Sequence, residues 1–398
     1  MTVLIVGAAM GGLRTAENLR KSGYAGPITM MGDELHAPYN RPPLSKDVLS
    51  AEVTHEAVAF PKRTEMADVR WMLGSRAASL DLPAHTVTTT SGSEHSWSAL
   101  VIATGLRPRR LDLPGLVGRH VVRSLDDAIA LRAELMPGAR VTIAGSGFLG
   151  CELAATATKL GCIVTVVTPS AEPMIRPLGM LLAAALRVRL ESEGVTFLTE
   201  STIESVEGPK RVRRLSVSGG RELETDVLIE AIGSQCNTDW LEGSGLNLHD
   251  GVLADNALRV VAADGDALDD IYVVGDVARF PNPMFDDVPR RIEHWNIPTD
   301  TGKRAGAVLA AWLKNDDTFQ SVVATTFAPM PSFWSNQFDI KLQAYGLPGL
   351  ADATELLEGD LAGDVAMGYF RAGHLVGVVG IGLKAALLPY RQLIATGA

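Results

Sequence analysis

Cysteine is scarce in this chain. Three occur in 398 residues, Cys151, Cys162 and Cys236, and no two of them form a Cys-x-x-Cys pair. So few thiols exclude a disulfide framework, and the missing pair excludes chemistry that runs through a redox-active dithiol. The expected state of all three is a small buried hydrophobe. Long apolar runs are also lacking. Each is short and broken by Gly, Pro or charge, and no basic segment precedes the strand that starts after Met1, so the expectation is a soluble, cytoplasmic protein that does not contact a membrane. Basic residues are outnumbered, with Lys plus Arg 36 against Asp plus Glu 46 and a formal charge of -10. That balance argues against nonspecific nucleic-acid binding. The eight histidines show no ligand-like spacing with Cys or carboxylates, so no bound metal is expected. Apolar residues make up 46% of the chain, and its length suits two or three domains, each able to bury a core.

Glycine supplies the organising signal. An apolar strand at 3–6 runs into Gly7-Ala8-Ala9-Met10-Gly11-Gly12, a helix is expected at 13–20, and a second strand at 28–31 closes on Gly32-Asp33-Glu34. The order repeats. Residues 141–144 lead into Gly145-Ser146-Gly147-Phe148-Leu149-Gly150, then an expected helix at 151–160 and a strand at 163–167. Strand, glycine turn, helix, strand and acid is the order of a dinucleotide-binding unit, and two such units imply two nucleotides. Apolar strands at 100–105, ending in Thr104-Gly105, and at 227–233, ending in Gly233, are read as the exits between nucleotide domains. The resulting fold class is α/β, with two Rossmann-like domains and a C-terminal α+β domain. Its expected boundaries are 1–108 and 234–312 for the first nucleotide domain, 109–233 for the second, and 313–398 for the last.

Such a turn works because missing side chains let backbone N–H groups reach a pyrophosphate at the positive end of a helix. The second turn has all three glycines, Gly145, Gly147 and Gly150. In the first, Ala9 stands where the middle glycine belongs, so its methyl is expected to tilt or tighten the approach. Asp33, 21 residues after Gly12, suits an adenosine ribose. The second unit has Thr168 in the corresponding place, with no acid, and no Arg or Lys over the next four residues, so NADH is favoured and NADPH is possible. Farther on, residues 271–276 form an apolar strand ending in Gly275-Asp276, which suggests a carboxylate on the polyol of FAD.

Beyond these units, Pro38-Tyr-Asn-Arg-Pro-Pro-Leu-Ser-Lys46, Arg123-Ser-Leu-Asp-Asp-Ala128, Glu152-Leu-Ala-Ala-Thr-Ala157, Glu293-His-Trp295 and Phe333-Trp-Ser-Asn-Gln-Phe338 together give a specific pattern. Through essentially its whole length the chain resembles the oxygenase-coupled NADH-dependent ferredoxin reductases, flavoproteins of the glutathione-reductase fold. The resemblance implies FAD contacts at Gly11, Asp33, Arg41, Lys46, Ala77, Arg123, Asp276 and Trp295. It places Lys46 beside the reactive edge of the flavin, paired with Glu152, and sets Trp295 and Trp334 near the ring. A cation there stabilises an anionic reduced flavin, and the carboxylate orients the cation. The implied reaction is hydride transfer from NADH to FAD followed by one-electron transfer to an iron–sulfur ferredoxin serving a monooxygenase or Rieske oxygenase. The cluster must reside on that partner, because this chain lacks the cysteines to hold one.

Two other readings share the fold. NADH oxidases and peroxidases place a redox cysteine near the flavin, where this chain has Arg41-Pro-Pro-Leu-Ser-Lys46 and only the hydroxyl of Ser45. A nicotinamide-sensing flavoprotein resembling apoptosis-inducing factor would bind without turnover. The protein is expected to be a monomer or homodimer. Arg107, Arg109, Arg110, Arg290 and Arg291 fall near the expected flavin segments and are expected to form a basic rim that steers an acidic ferredoxin.

Overall fold

The computed structural model describes residues 1–61, 63–315 and 317–397. The chain divides into two compact units. The first comprises Met1–Asn40, His55–Arg107 and Cys236–Pro331, and the second Arg41–Thr54, Pro108–Gln235 and Ser332–Ala398.

In the first unit a six-stranded sheet runs in the order Arg259–Val261, Ala267–Val273, Ala99–Ile102, Val3–Val6, Ile28–Met31, Arg70–Met72. Val3–Val6 lies at its centre, fully buried and paired in parallel with Ile28–Met31 on one side and Ala99–Ile102 on the other. Burial on both faces explains its unbroken apolar sequence. The helix Met10–Lys21 begins inside the glycine turn, three residues ahead of the expected 13–20, because Gly11 and Gly12 already take helical conformation. The long helix Ile297–Leu313 lies close against it. A Cβ on Gly302 would sit 2.8 Å from the Gly11 carbonyl oxygen, and one on Gly306 would sit 2.9 Å from that of Thr15. Two glycines four apart thus let the helix backbones approach.

The second unit carries a five-stranded parallel sheet, Thr196–Leu198, Ile163–Val167, Arg140–Ala144, Val227–Glu230, Arg119–His120. Its glycine turn likewise opens the helix early, at Phe148–Lys159 rather than 151–160. A five-stranded antiparallel sheet, with Ser332–Gln337 on one edge, belongs to the same unit and is backed by the helix Leu387–Thr396. The fold class is α/β, with two Rossmann-like domains and a C-terminal α+β domain. No helix among the described residues is long and apolar enough to cross a membrane. Nor does any cluster of three His, Cys, Asp or Glu among them suit a metal ion.

Candidate functional site: two nucleotide turns and a buried ion pair

In the first unit the turn after Val3–Val6 is shaped by close backbone approach. Gly7 has φ +124°, and a Cβ there would overlap the Ala103 carbonyl, while one on Gly12 would overlap the Gly7 carbonyl. Ala9 is the N-cap of the following helix in extended conformation (φ -113°, ψ -161°), so its methyl strains nothing in the backbone. No side chain caps this helix, which leaves its first N–H groups open to an anion. Beside the turn lies a cavity of about 360 Å3 whose wall includes Gly7, Asp33, Ala77 and Thr104. Asp33 is exposed there. Arg76 and Asn237 also line the cavity, and neither was anticipated. Asn237 is held reciprocally: the Thr104 hydroxyl donates to its carbonyl oxygen at 2.8 Å, and its amide donates to the Thr104 carbonyl at 2.9 Å. Gly105 (φ +61°) turns the chain just past this contact.

The Gly275-Asp276 pair starts a short 3-10 turn, Gly275–Val277, with Gly275 at φ +76°. The Gly275 N–H donates to Thr301 Oγ1 at 3.0 Å, and Asp276 is half-buried with its carbonyl accepting from Arg291 at 3.2 Å. Trp295 is 38% exposed and donates through Nε1 to Asn40 at 3.0 Å. The first unit therefore carries Gly7, Gly11, Gly12, Asp33, Ala77, Thr104, Gly105, Gly275, Asp276 and Trp295 of the expected residues.

Arg41, Lys46, Arg123, Gly145, Gly147, Gly150, Glu152, Thr168, Gly233 and Trp334 belong to the second unit. Its turn follows the same steric logic. A Cβ on Gly145 (φ +98°) would overlap the Ala231 carbonyl and one on Gly150 the Gly145 carbonyl, but one on Gly147 meets nothing within 4 Å. Gly147 is an extended N-cap, again without a capping side chain. Both turns thus present helix starts with no capping side chain, which fits two pyrophosphates. Gly233 (φ +99°) reverses the chain after Val227–Glu230.

At the fifth position of the helix Phe148–Lys159, Glu152 is 8% exposed. Its Oε2 accepts from Lys46 Nζ at 2.5 Å and from the Ser45 hydroxyl at 2.6 Å, and its Oε1 accepts from the Ser335 hydroxyl at 2.8 Å. Local sequence explains why Ser45 and Lys46 arrive there. Pro42 and Pro43 start the 3-10 turn Pro42–Ser45, and Thr156, four residues and one helical turn past Glu152, donates its hydroxyl to the Ser45 carbonyl at 2.7 Å. Glu152 and Thr156 thereby grip one residue from a single helix face. Arg41 donates to the Arg123 carbonyl at 2.5 Å, and Arg123 itself leads into a capping box, with the Ser124 side chain accepting from the Asp127 N–H at 3.1 Å. Trp334 is half-buried. Alternation along Ser332–Gln337 sends it to the face opposite Ser335.

Three sequence-based expectations meet specific geometry here. Cys151 and Cys162 are buried, but Cys236 is only half-buried, against the expectation for all three; burial pushes the Cys151 thiol far above the usual range and raises the other two. None of the three is a thiolate nucleophile. Thr168 is only 2% exposed, and its hydroxyl accepts from Ser146 at 2.9 Å. Its register also differs from that of Asp33. The Gly7 N–H donates to Met31 and the Gly145 N–H to Val167, so Thr168 corresponds to Gly32, and Pro169 to Asp33. The expected basic rim is compensated in part. Arg107 pairs with Asp239 at 2.8 Å, Arg110 with Glu230 at 3.1 Å, Arg290 with Asp286, and Arg291 with Asp250 at 2.8 Å. Arg109 donates to the Ser234 carbonyl at 2.8 Å. Arg107, Arg290 and Arg291 are thus locally compensated, whereas Arg109 meets only a carbonyl and Arg110 shares the Glu230 carboxylate with Arg119.

Sequence comparison agrees with this geometry. Residues 1–302 match the pyridine nucleotide-disulphide oxidoreductase family and residues 332–398 the reductase C-terminal family. The ferredoxin–NAD(+) reductase component of the anthranilate 1,2-dioxygenase system of Burkholderia cepacia is 34% identical, over 99% of this chain and 94% of that protein. Rubredoxin-NAD(+) reductase of Pseudomonas putida is 30% identical, over 90% of this chain and 89% of that protein. Among solved structures, the covalent putidaredoxin reductase–putidaredoxin complex superposes with a TM-score of 0.90 at 26% identity, covering 100% of this chain and 93% of that one. With matching domains in matching order along nearly its full length, the chain belongs to the pyridine nucleotide-disulphide oxidoreductase family, among the NAD-dependent ferredoxin reductases.

Proposed function

We propose that this protein is a cytoplasmic FAD-containing NADH:ferredoxin reductase that supplies electrons, one at a time, to an iron–sulfur protein of an oxygenase system. The observation that carries the reading is the Lys46–Glu152 pair on the helix opened by an uncapped nucleotide turn, in a chain whose cysteines are all held as neutral thiols. That combination suits electron transfer that needs no dithiol.

Gly7, Gly11 and Gly12 would take the pyrophosphate of FAD, Asp33 its ribose, Ala77 and Thr104 the walls of the cavity, and Asp276 the polyol. Arg41 and Arg123 would complete the contacts, and Gly145, Gly147 and Gly150 would hold the nicotinamide nucleotide. Bound FAD supplies the conversion between a two-electron hydride donor and a one-electron acceptor. The protein's own part is positioning. Glu152, held through both oxygens, keeps Lys46 Nζ in place and compensates its charge, so a fixed cation stands ready wherever negative charge develops. Trp295 and Trp334 offer flat faces that order a ring and exclude oxygen.

The test is direct. The purified protein should be yellow, with one FAD per chain, bleach anaerobically with NADH, and turn over with an acidic ferredoxin far faster than with oxygen. Turnover on oxygen or peroxide alone would support the oxidase reading, and tight NADH binding without turnover the sensing one. Including a rubredoxin as acceptor tests the iron–sulfur type. A colourless protein that cannot be reconstituted with FAD would sink the proposal.

A further inference from the structure

Glu152 places both carboxylate oxygens in a nearly dry environment, and a buried carboxylate is held in one orientation only by the donors that reach it. Two donors converge on Oε2, from Lys46 and Ser45, whereas Oε1 takes the Ser335 hydroxyl at 2.8 Å. Ser335 is 0% exposed. Its one proton is committed to Glu152, so its lone pairs must be met by a donor, and the Gln337 amide meets them at 3.0 Å. That requirement sets the Gln337 amide the other way round from a simple serine donor contact. Its Nε2 also faces Met174 Sδ at 3.4 Å, and its Oε1 has no hydrogen-bond donor among the described residues, although Gln337 is 1% exposed. A buried acceptor left unmet is a cost, and a cost retained inside a polar network calls for a reason beyond packing.

The arrangement is built into the edge strand Ser332–Gln337. Its alternation turns Phe333, Ser335 and Gln337 to one buried face, and Phe333 meets Phe148 edge-on at 4.8 Å between ring centres. Met174, at the far end of the brace, donates its N–H to the Ser146 carbonyl at 2.9 Å, inside the second glycine turn. One strand of the C-terminal sheet thus reaches both the ion pair and the nucleotide turn.

We propose that Ser335, backed by Gln337, is a positioning residue for hydride transfer: it locks the Glu152 carboxylate in the orientation that fixes Lys46. The proposal rests on the FAD and NADH reading above. It assigns the C-terminal sheet a part in the reductive half-reaction.

The experiment is anaerobic stopped-flow reduction of the bound flavin by NADH in wild type, Ser335→Ala, Glu152→Gln and the double variant. Ser335→Ala should lower the limiting rate of flavin reduction by about ten- to a hundredfold, the scale of a small misplacement, while the NADH concentration for half-maximal rate changes little. Its FAD content should stay at one per chain, and the visible circular dichroism of the oxidised flavin should shift as Lys46 loses its fixed place. In the Glu152→Gln background the same substitution should cost less than about twofold, because the carboxylate that fixes Lys46 is gone. Equal losses in both backgrounds, or a Ser335→Ala rate and flavin spectrum like wild type, would overturn the proposal. If Ser335→Ala does not accumulate as a flavoprotein, Gln337→Leu takes its place in the cycle. A several-fold loss that needs Glu152 is then expected, and a loss independent of Glu152 overturns the idea. Wild-type protein that binds no FAD, or is not reduced by NADH, fails the underlying reading instead, and that is visible before any variant is made.

Discussion

The two glycine turns invite direct comparison, because the same backbone solves the same problem with different side chains. In both, the first and third glycines are demanded by carbonyls that a Cβ would overlap, Ala103 and Gly7 in one unit, Ala231 and Gly145 in the other. The middle position is under no such demand. Ala9 and Gly147 are both extended N-caps, and the space beside Gly147 is open. Around the turns the units diverge. The strand beginning at Val3 is clasped to its neighbour by neutral groups, the Thr2 N–H donating to Ser98 Oγ at 3.0 Å; the equivalent clasp in the second unit is ionic, with Asp226 accepting from the Arg140 backbone and guanidinium. Seven residues after the first glycine stands Arg14 in one helix, paired with Glu17 at 2.8 Å, and Glu152 in the other. Chain packing dictates where glycine must be, and the ligand and the chemistry dictate the rest.

The sharpest break should come from that last pair. Glu152→Ala leaves Lys46 and two buried serines without their acceptor and is expected to destabilise the protein by about 3 kcal/mol in denaturant unfolding. Arg14→Ala, which removes a neighbouring-turn pair, should cost no more than about 1 kcal/mol. Comparable losses would mean the Glu152 site is an ordinary surface bridge.

Exchanging the middle residues comes next. Gly147→Ala should fold with stability within about 0.5 kcal/mol of wild type, since its added methyl meets no protein atom, yet raise the KM for NADH about tenfold by crowding the pyrophosphate. The reverse change, Ala9→Gly, should leave NADH kinetics alone and alter only FAD retention. If Gly147→Ala binds NADH normally, the nucleotide does not pass over that turn.

A third, smaller contrast is in acid. Hydrogen bonds from Arg140 hold Asp226 down to about 2, against 3.8 for the ordinary group. Because the folded value is the lower one, this stabilisation is complete above about pH 4 and is lost as pH falls through 2. After discounting for partial exposure it is worth about 1 kcal/mol. Asp226→Ser, which copies the neutral clasp of the first unit, should flatten acid unfolding in that window. An unchanged profile would show that Arg140 is not Asp226's partner in solution.

The smallest effect expected is at Thr168. Thr168→Val removes the hydroxyl that accepts from Ser146 and should cost about 1 kcal/mol or less, with the preference for NADH over NADPH nearly unchanged, because the side chain is buried. A large swing in that ratio would return Thr168 to the ribose.

Both strand–turn–helix units were legible because their signals are local: an apolar run, glycines at fixed spacing, a helical period. The pairing of Lys46 with Glu152 was legible only through resemblance, and the structure supplies its physical cause in the Pro42-Pro43 turn and the Thr156 hydroxyl. Ser335 and Gln337 carried no readable role, since a serine or glutamine in an edge strand has no periodic or compositional mark. Thr168 was misplaced for a similar reason. It follows its strand directly, whereas Asp33 stands two residues past Met31, with Gly32 between. The arginines illustrate the converse, because charge is visible in sequence, whereas its compensation for Arg107 depends on Asp239, far along the chain.

Sequence alone determined that this protein has two glycine turns of the nucleotide-binding kind, no Cys-x-x-Cys pair and an α/β fold with two Rossmann-like domains, because glycine, cysteine and strand burial act at the level of the residue and its near neighbours. Tertiary structure decided which donors reach Glu152, which arginines meet a carboxylate, and which residue of the second unit takes the register of Asp33. Those outcomes depend on distances between segments as far apart as Ser45, Glu152 and Ser335, and hydrogen bonds and charges act only across the last few ångströms.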